Sequence, residues 1–197
     1  MERTRLQRLV DLVVETIAEC TGTSNNHQVV TTGDDEQAGR AIADAVERTV
    51  DRDPELRRRF MTVRVEAPGR HQPVRLAGLW ARSLDGAARK MADTQRASLA
   101  FARLNEWTSD GRPADAHEQL CAELLKIAAE ASRRIVLIVD DLEGWTTAFA
   151  TVDEEYALRK VLQTDPEIVL VGVSSTWSAD GHPEWALYCG LNTRRAR

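Results

Sequence analysis

Apolar residues recur at helical spacing from the start of the chain. Leu6, Leu9, Val10, Val13, Val14 and Ile17 share one face of a helix predicted over about Thr4–Cys20. The turn formers Thr21-Gly-Thr-Ser-Asn-Asn26 end it. His27-Gln-Val-Val-Thr-Thr32 is short and β-branched and reads as a strand. Asp34 or Asp35 can cap the next helix, whose buried stripe is Ala38, Ile42, Ala45 and Val46 and which runs to about Asp51. Asp53-Pro54 opens a turn or short helix through Arg59, and Phe60-Met-Thr-Val-Arg-Val65 is a second strand.

After a loop at Ala67-Pro-Gly-Arg-His-Gln-Pro73, Leu76, Leu79, Trp80 and Leu84 mark an amphipathic helix. A further helix is expected over Met91–Trp107, broken by Thr108-Ser-Asp-Gly-Arg-Pro113. A long one follows over Ala114–Ser132 with Leu120, Leu124, Ile127 and Ala128. Ile135-Val-Leu-Ile-Val139 and Ile168-Val-Leu-Val-Gly-Val173 are apolar without alternation, as strands buried on both faces of a parallel sheet are. Between them lies a helix over about Asp153–Gln163, and Trp185–Leu191 is the last candidate strand. Strands alternating with helices predict an α/β fold, a three-layer sandwich on a mostly parallel five-stranded sheet. Residues 1–26 form an amino-terminal helical extension with its turn, and 27–197 the α/β core.

Composition changes this picture little. A chain of 197 residues accommodates one good core, and its net charge of −5 gives no general reason for it to bind nucleic acid or lipid. Arg57-Arg58-Arg59 and Arg194-Arg195-Ala196-Arg197 are local basic runs, read as solvated surface or tail. Cys20, Cys121 and Cys189 are too far apart for a zinc or redox pair. His27, His71, His117 and His182 are scattered, with no partner at metal-ligand spacing. No apolar run approaches the ~20 residues that span a bilayer, and the amino terminus is charged, so a cytoplasmic protein is expected.

The chemistry gathers where the third strand ends in acids, Ile135-Val-Leu-Ile-Val-Asp-Asp-Leu-Glu143. With the helix Glu154-Glu-Tyr-Ala-Leu-Arg-Lys-Val-Leu-Gln163 and the strand Ile168-Val-Leu-Val-Gly-Val-Ser-Ser-Thr176, this stretch resembles the ATPase core of the AAA+/STAND class of P-loop proteins. The resemblance covers about Leu6–Leu191 and is most specific over Arg133–Ser175. It implies that Asp140 holds Mg²⁺ as the Walker B acid and that Asp141 stands for the catalytic base. Ser174, Ser175 and Thr176 fall at the sensor 1 position, which orients water or the γ-phosphate.

The phosphate loop departs from the pattern. No G-x-x-x-x-G-K-[ST] occurs, and Thr31-Thr-Gly-Asp-Asp-Glu-Gln-Ala-Gly-Arg40 stands in its place. Taking Gly33 and Gly39 as the loop glycines makes the spacing one residue too long and puts Arg40, not a lysine, after the second. Matching the helix instead leaves the loop about four or five residues short, with Asp35 near the lysine position and Glu36 near that of the Mg²⁺-binding hydroxyl. Carboxylates there cap the helix and repel an anion: about 3 kcal/mol at 5 Å and an effective dielectric near 20. Neither a lid nor a sensor 2 arginine is expected from the residues that follow Leu191.

The function this implies is that of a degenerate AAA+/STAND ATPase-like domain of bacterial regulatory type. It acts as a regulatory or protein-binding module beside a protein partner or an active ATPase relative, with weak or no nucleotide binding and no certain cofactor. The alternative is a working P-loop NTPase that binds ATP and Mg²⁺ through Asp140, Asp141 and an unorthodox loop of Gly33, Gly39 and Arg40. A third reading makes the chain a piece of a larger STAND protein. Trp145, Trp177 and Trp185 near the carboxyl ends of the strands are candidate contact residues, with core filling favoured.

Overall fold

Unalternating apolar runs have no polar face to offer water, so both of their faces are covered by helices. The computed structural model describes residues 2–21, 26–33, 35–66, 76–92, 116–147, 149, 151–177, 181, 183–185 and 190–195. Strands β1 (Gln28–Thr31), β2 (Phe60–Val65), β3 (Arg134–Asp140), β4 (Ile168–Ser174) and β5 (Asn192–Arg195) form one sheet in the order β2-β3-β4-β1-β5. Every pairing is parallel, from Phe60↔Arg134 at one side to Gln28↔Asn192 at the other.

Strand alternation sorts the core into two layers. Val136 and Ile138 of β3, with Val169, Val171 and Val173 of β4, face α1 (Glu2–Glu19), α2 (Glu36–Arg52) and α3 (Pro54–Arg59). Ile135, Leu137 and Val139 face α4 (Leu76–Lys90), α5 (Ala116–Ala131), α6 (Leu142–Thr147) and α7 (Val152–Thr164). The expected three-layer α/β sandwich is therefore present, and α1 packs within a layer through Val10, Val13 and Ile17.

Polar residues tie the layers where apolar packing stops. His27 is fully buried beneath β1; its Nε2 donates to Leu162 O (2.8 Å) and its Nδ1 accepts from the Leu170 N–H (2.9 Å). Arg59 donates to Ala18 O (2.8 Å) and Cys20 O (3.1 Å), closing the carboxyl end of α1. Lys90, the last residue of α4, bonds Glu47 (3.1 Å) and Asp51 (2.8 Å) of α2 and the Thr62 hydroxyl, so its side chain passes round the outer edge of β2. A charged residue placed there blunts an edge that would otherwise recruit another strand.

The last strand differs from expectation. Trp185 lies in a short helical turn at 183–185, and the strand is Asn192–Arg195. Its residues are polar, so an apolarity search passes over it. Arg194 holds it instead of a solvated tail, through Nε to Gln28 Oε1 (2.6 Å) and Nη2 to Thr16 Oγ1 (2.9 Å). The loop at 67–73, the expected helix beyond Ala92 to residue 107, Asp34, His71, His182 and Cys189 lie outside the described residues.

Candidate functional site

The strand order reverses at β4 and β1, and in open parallel sheets ligands enter the crevice beyond the carboxyl ends at such a point. Here that crevice is bordered by Thr31 at the end of β1, whose register partner is Ser174, by Thr32 just beyond it, and by the start of α2. The sequence-predicted residues fall along this carboxyl edge, and the structure shows what each one touches.

Residues 32–35 are the whole connection from β1 to α2. Gly33 turns the chain at φ +62°, a conformation that suits glycine. Asp35 is the N-cap, and its carboxylate accepts the Ala38 N–H at 2.9 Å. Gly39 and Arg40 belong to the helix, not to the loop. Gly39 is buried, and a Cβ there would stand 3.0 Å from Val173 Cγ1, so its role is close packing of α2 on β4. Arg40 is exposed. The first helical residues are Glu36, Gln37 and Ala38, which offer no hydroxyl for a metal ion.

Asp140, the last residue of β3, is only 8% exposed. Arg64 of β2 grips it as a fork, Nη2 to Oδ2 at 2.8 Å and Nε to Oδ2 and Oδ1 at 3.1 and 3.3 Å. The same guanidinium pairs with Asp44 of α2, giving an Asp44–Arg64–Asp140 triad from three elements. Burial pushes the Asp140 carboxyl above its ordinary range, opposed by Arg64 and aided by Glu66 and Asp44. Burial works to lower the Arg64 pKa, and its bonds to Asp140 and Asp44 outweigh that and raise it. Asp141 is exposed with φ +53°; its Oδ1 accepts the Gly144 N–H at 3.0 Å and so caps α6. A Cβ on Gly144 would fall 2.1 Å from Asp141 Oδ2, so a larger residue there would make the capping carboxylate shift.

Ser174 closes β4 and is buried. Its hydroxyl accepts the Trp177 N–H at 3.2 Å and donates to Glu143 Oε2 over a long 3.4 Å, while Thr176 also bonds Glu143. Ser175 is half-buried. The edge thus brings Ser174 and Thr176 together around Glu143 of α6, while Asp140 turns to Arg64.

The sequence reading does not single out Arg64 or Glu143. A lone arginine in an otherwise apolar strand is the signal for the first, because a buried cation needs an acid beside it. The short repeat of acids in Asp140-Asp-Leu-Glu143 is the signal for the second.

The three tryptophans near this edge are core residues. Trp145 is buried, donates to Glu66 O (3.1 Å) and carries Arg82 over its ring at 5.3 Å. Trp177 and Trp185 are buried edge to face at 5.5 Å, and Trp185 donates to Glu155 (2.9 Å). Burial pushes the Cys121 thiol up to about 12, with Asp165 adding to it, which removes it as a nucleophile. Among the described residues no three His, Cys, Asp or Glu side chains are grouped to hold a metal ion, and no helix is long and apolar enough to cross a membrane.

The backbone path has relatives among solved structures. The Aeropyrum pernix Orc1 protein in complex with DNA superposes with a TM-score of 0.60 over 98% of this chain and 44% of its own, at 15% identity. The shared fold is a P-loop NTPase-like parallel α/β sandwich. A Drosophila origin recognition complex bound to AT-rich DNA and Cdc6 matches at TM-score 0.54 and 10% identity, over 98% of this chain and 29% of its own. No protein-family model and no curated protein matches the chain. It spans less than half the length of these solved chains, so the likeness shows the fold alone and carries no activity with it.

Proposed function

We propose that this AAA+-type domain works without nucleotide, as a protein-binding or regulatory module beside another subunit or an active relative. One observation carries the reading. Where the AAA+ fold presents helix N–H groups to phosphate, Asp35 presents its own carboxylate to the Ala38 N–H. A phosphate would have to displace a bonded anion, with no lysine to receive it and with Arg40 one turn further on. Catalytic roles for Asp141, Ser174 and Ser175 would need rearrangement, since Asp141 caps α6 and Ser174 bonds Glu143. One Drosophila neighbour is described with Cdc6, and binding another protein is a property that a domain without nucleotide can retain.

The test is a calorimetric titration of the chain with ATP and ADP, with and without Mg²⁺, beside an Asp140→Ala control. Silence up to millimolar nucleotide is expected. Micromolar binding that the control abolishes would overturn the proposal and make residues 33–40 a working phosphate loop.

A further inference from the structure

The AAA+ fold implies a magnesium ion beside the acid that ends β3, and the residues present do not fit one. Asp140 has both oxygens engaged by the Arg64 fork, α2 begins without a hydroxyl, and a doubly charged ion would stand against a fixed guanidinium. We propose that the Arg64 guanidinium is the resident cation of this site, standing where a divalent ion would stand, and that its removal uncovers a divalent-cation site on Asp140 and Asp44.

The geometry fits a counter-ion better than a chance surface pair. Arg64 pairs in register with Ile138, and its side chain runs along the strands to reach the acid at the tip of β3. It meets a second acid, Asp44, from the helix that lines the other side of the crevice. The side chains of Arg64 and Asp140 are 21% and 12% exposed, so water does little of the neutralising. Guanidinium suits this place because its planar fork matches a carboxylate and it stays charged when partly buried. Two carboxylates, completed by water, are the hard oxygen set that Mg²⁺ and Mn²⁺ take. This deepens the reading of a nucleotide-independent domain and relies on it only for the location of the site.

The probe is Mn²⁺ alone, followed by the electron paramagnetic resonance signal of the free aquo ion. The wild-type chain is expected to leave that signal unchanged up to millimolar metal. Arg64→Gln, confirmed as folded by circular dichroism, is expected to take Mn²⁺ up, and adding Asp140→Asn to weaken that uptake by roughly tenfold or more. Wild-type uptake that Asp140→Asn abolishes would overturn the proposal, as would a folded Arg64→Gln chain that binds no metal. The wild-type measurement stands even where Arg64→Gln does not fold. The two proposals fail separately: Mn²⁺ uptake with silent nucleotide counts only against Arg64 as the resident cation, and nucleotide binding with a silent Mn²⁺ signal counts only against the wider reading.

Discussion

His27 has both ring nitrogens committed, one as donor and one as acceptor, which fixes a neutral tautomer under β1. Burial, with a smaller push from Arg134 and against the pull of the Leu162 carbonyl, lowers its pKa from 6.5 to about 4. A histidine depressed in the folded state favours folding fully above its unfolded pKa and loses that contribution as pH falls toward the folded value. Stability is therefore expected to drop by about 3 kcal/mol between pH 6.5 and pH 4 on account of this residue. Urea denaturation across that window measures it, and His27→Gln should flatten the His27 part of the slope. Asp140 works in the opposite sense: with its pKa raised, what it contributes is present at low pH and fades as pH rises through that value. At this scale the sequence makes Asp140, Asp141 and Ser174 visible, since strand ends are legible from apolar runs. It does not reveal Arg64 as the partner of Asp140, because the pairing joins strands whose adjacency no local pattern records.

Between elements, α6 approaches β4 closely. A Cβ on Gly172 would fall 2.6 Å from Leu142 Cδ2 and 3.2 Å from Leu142 Cβ and Val29 Cγ2. Gly172→Ala is therefore expected to destabilise by roughly 1–3 kcal/mol through overpacking, read as a lower thermal midpoint with the secondary structure retained. The same substitution at Gly33 meets nothing within 4 Å and strains only the backbone. β5 gives a different case, a polar strand whose ladder with β1 is supported by the Arg194 side chain. Arg194→Ala would leave the buried Gln28 Oε1 without the Arg194 donor and is expected to cost about 1–3 kcal/mol. Hydrogen exchange at Thr193 and Arg195 should quicken more than at β3. Among the described residues the apolar strands and most helices were legible from periodicity, with ends close to those observed, while the short α6 was not marked. β5 was not, because its four residues are polar and its place is fixed by contacts with β1 and α1.

For the whole molecule, alternating helices and strands announce a parallel α/β sandwich, and the acid-tipped strand suggests the AAA+ class. The order β2-β3-β4-β1-β5 is not written in any local pattern, though it decides which side chains share an edge. That order also has a consequence in time. β1, the first strand of the chain, pairs with nothing near it: Gln28 lies opposite Val171 on one side and Asn192 on the other. β3 and β4 are closer in sequence, with Ile135 opposite Ile168, and are joined by α6 and α7. Loop closure favours the nearer pair, so folding is expected to nucleate at β3–β4 and to insert β1 last. Stopped-flow refolding tests this: Val136→Ala should mainly slow folding, whereas Val30→Ala should mainly speed unfolding. Until β1 arrives, α1 and α2 have an apolar face and only part of a sheet to cover. On that order the α1–β1–α2 segment is the last to have its apolar face covered.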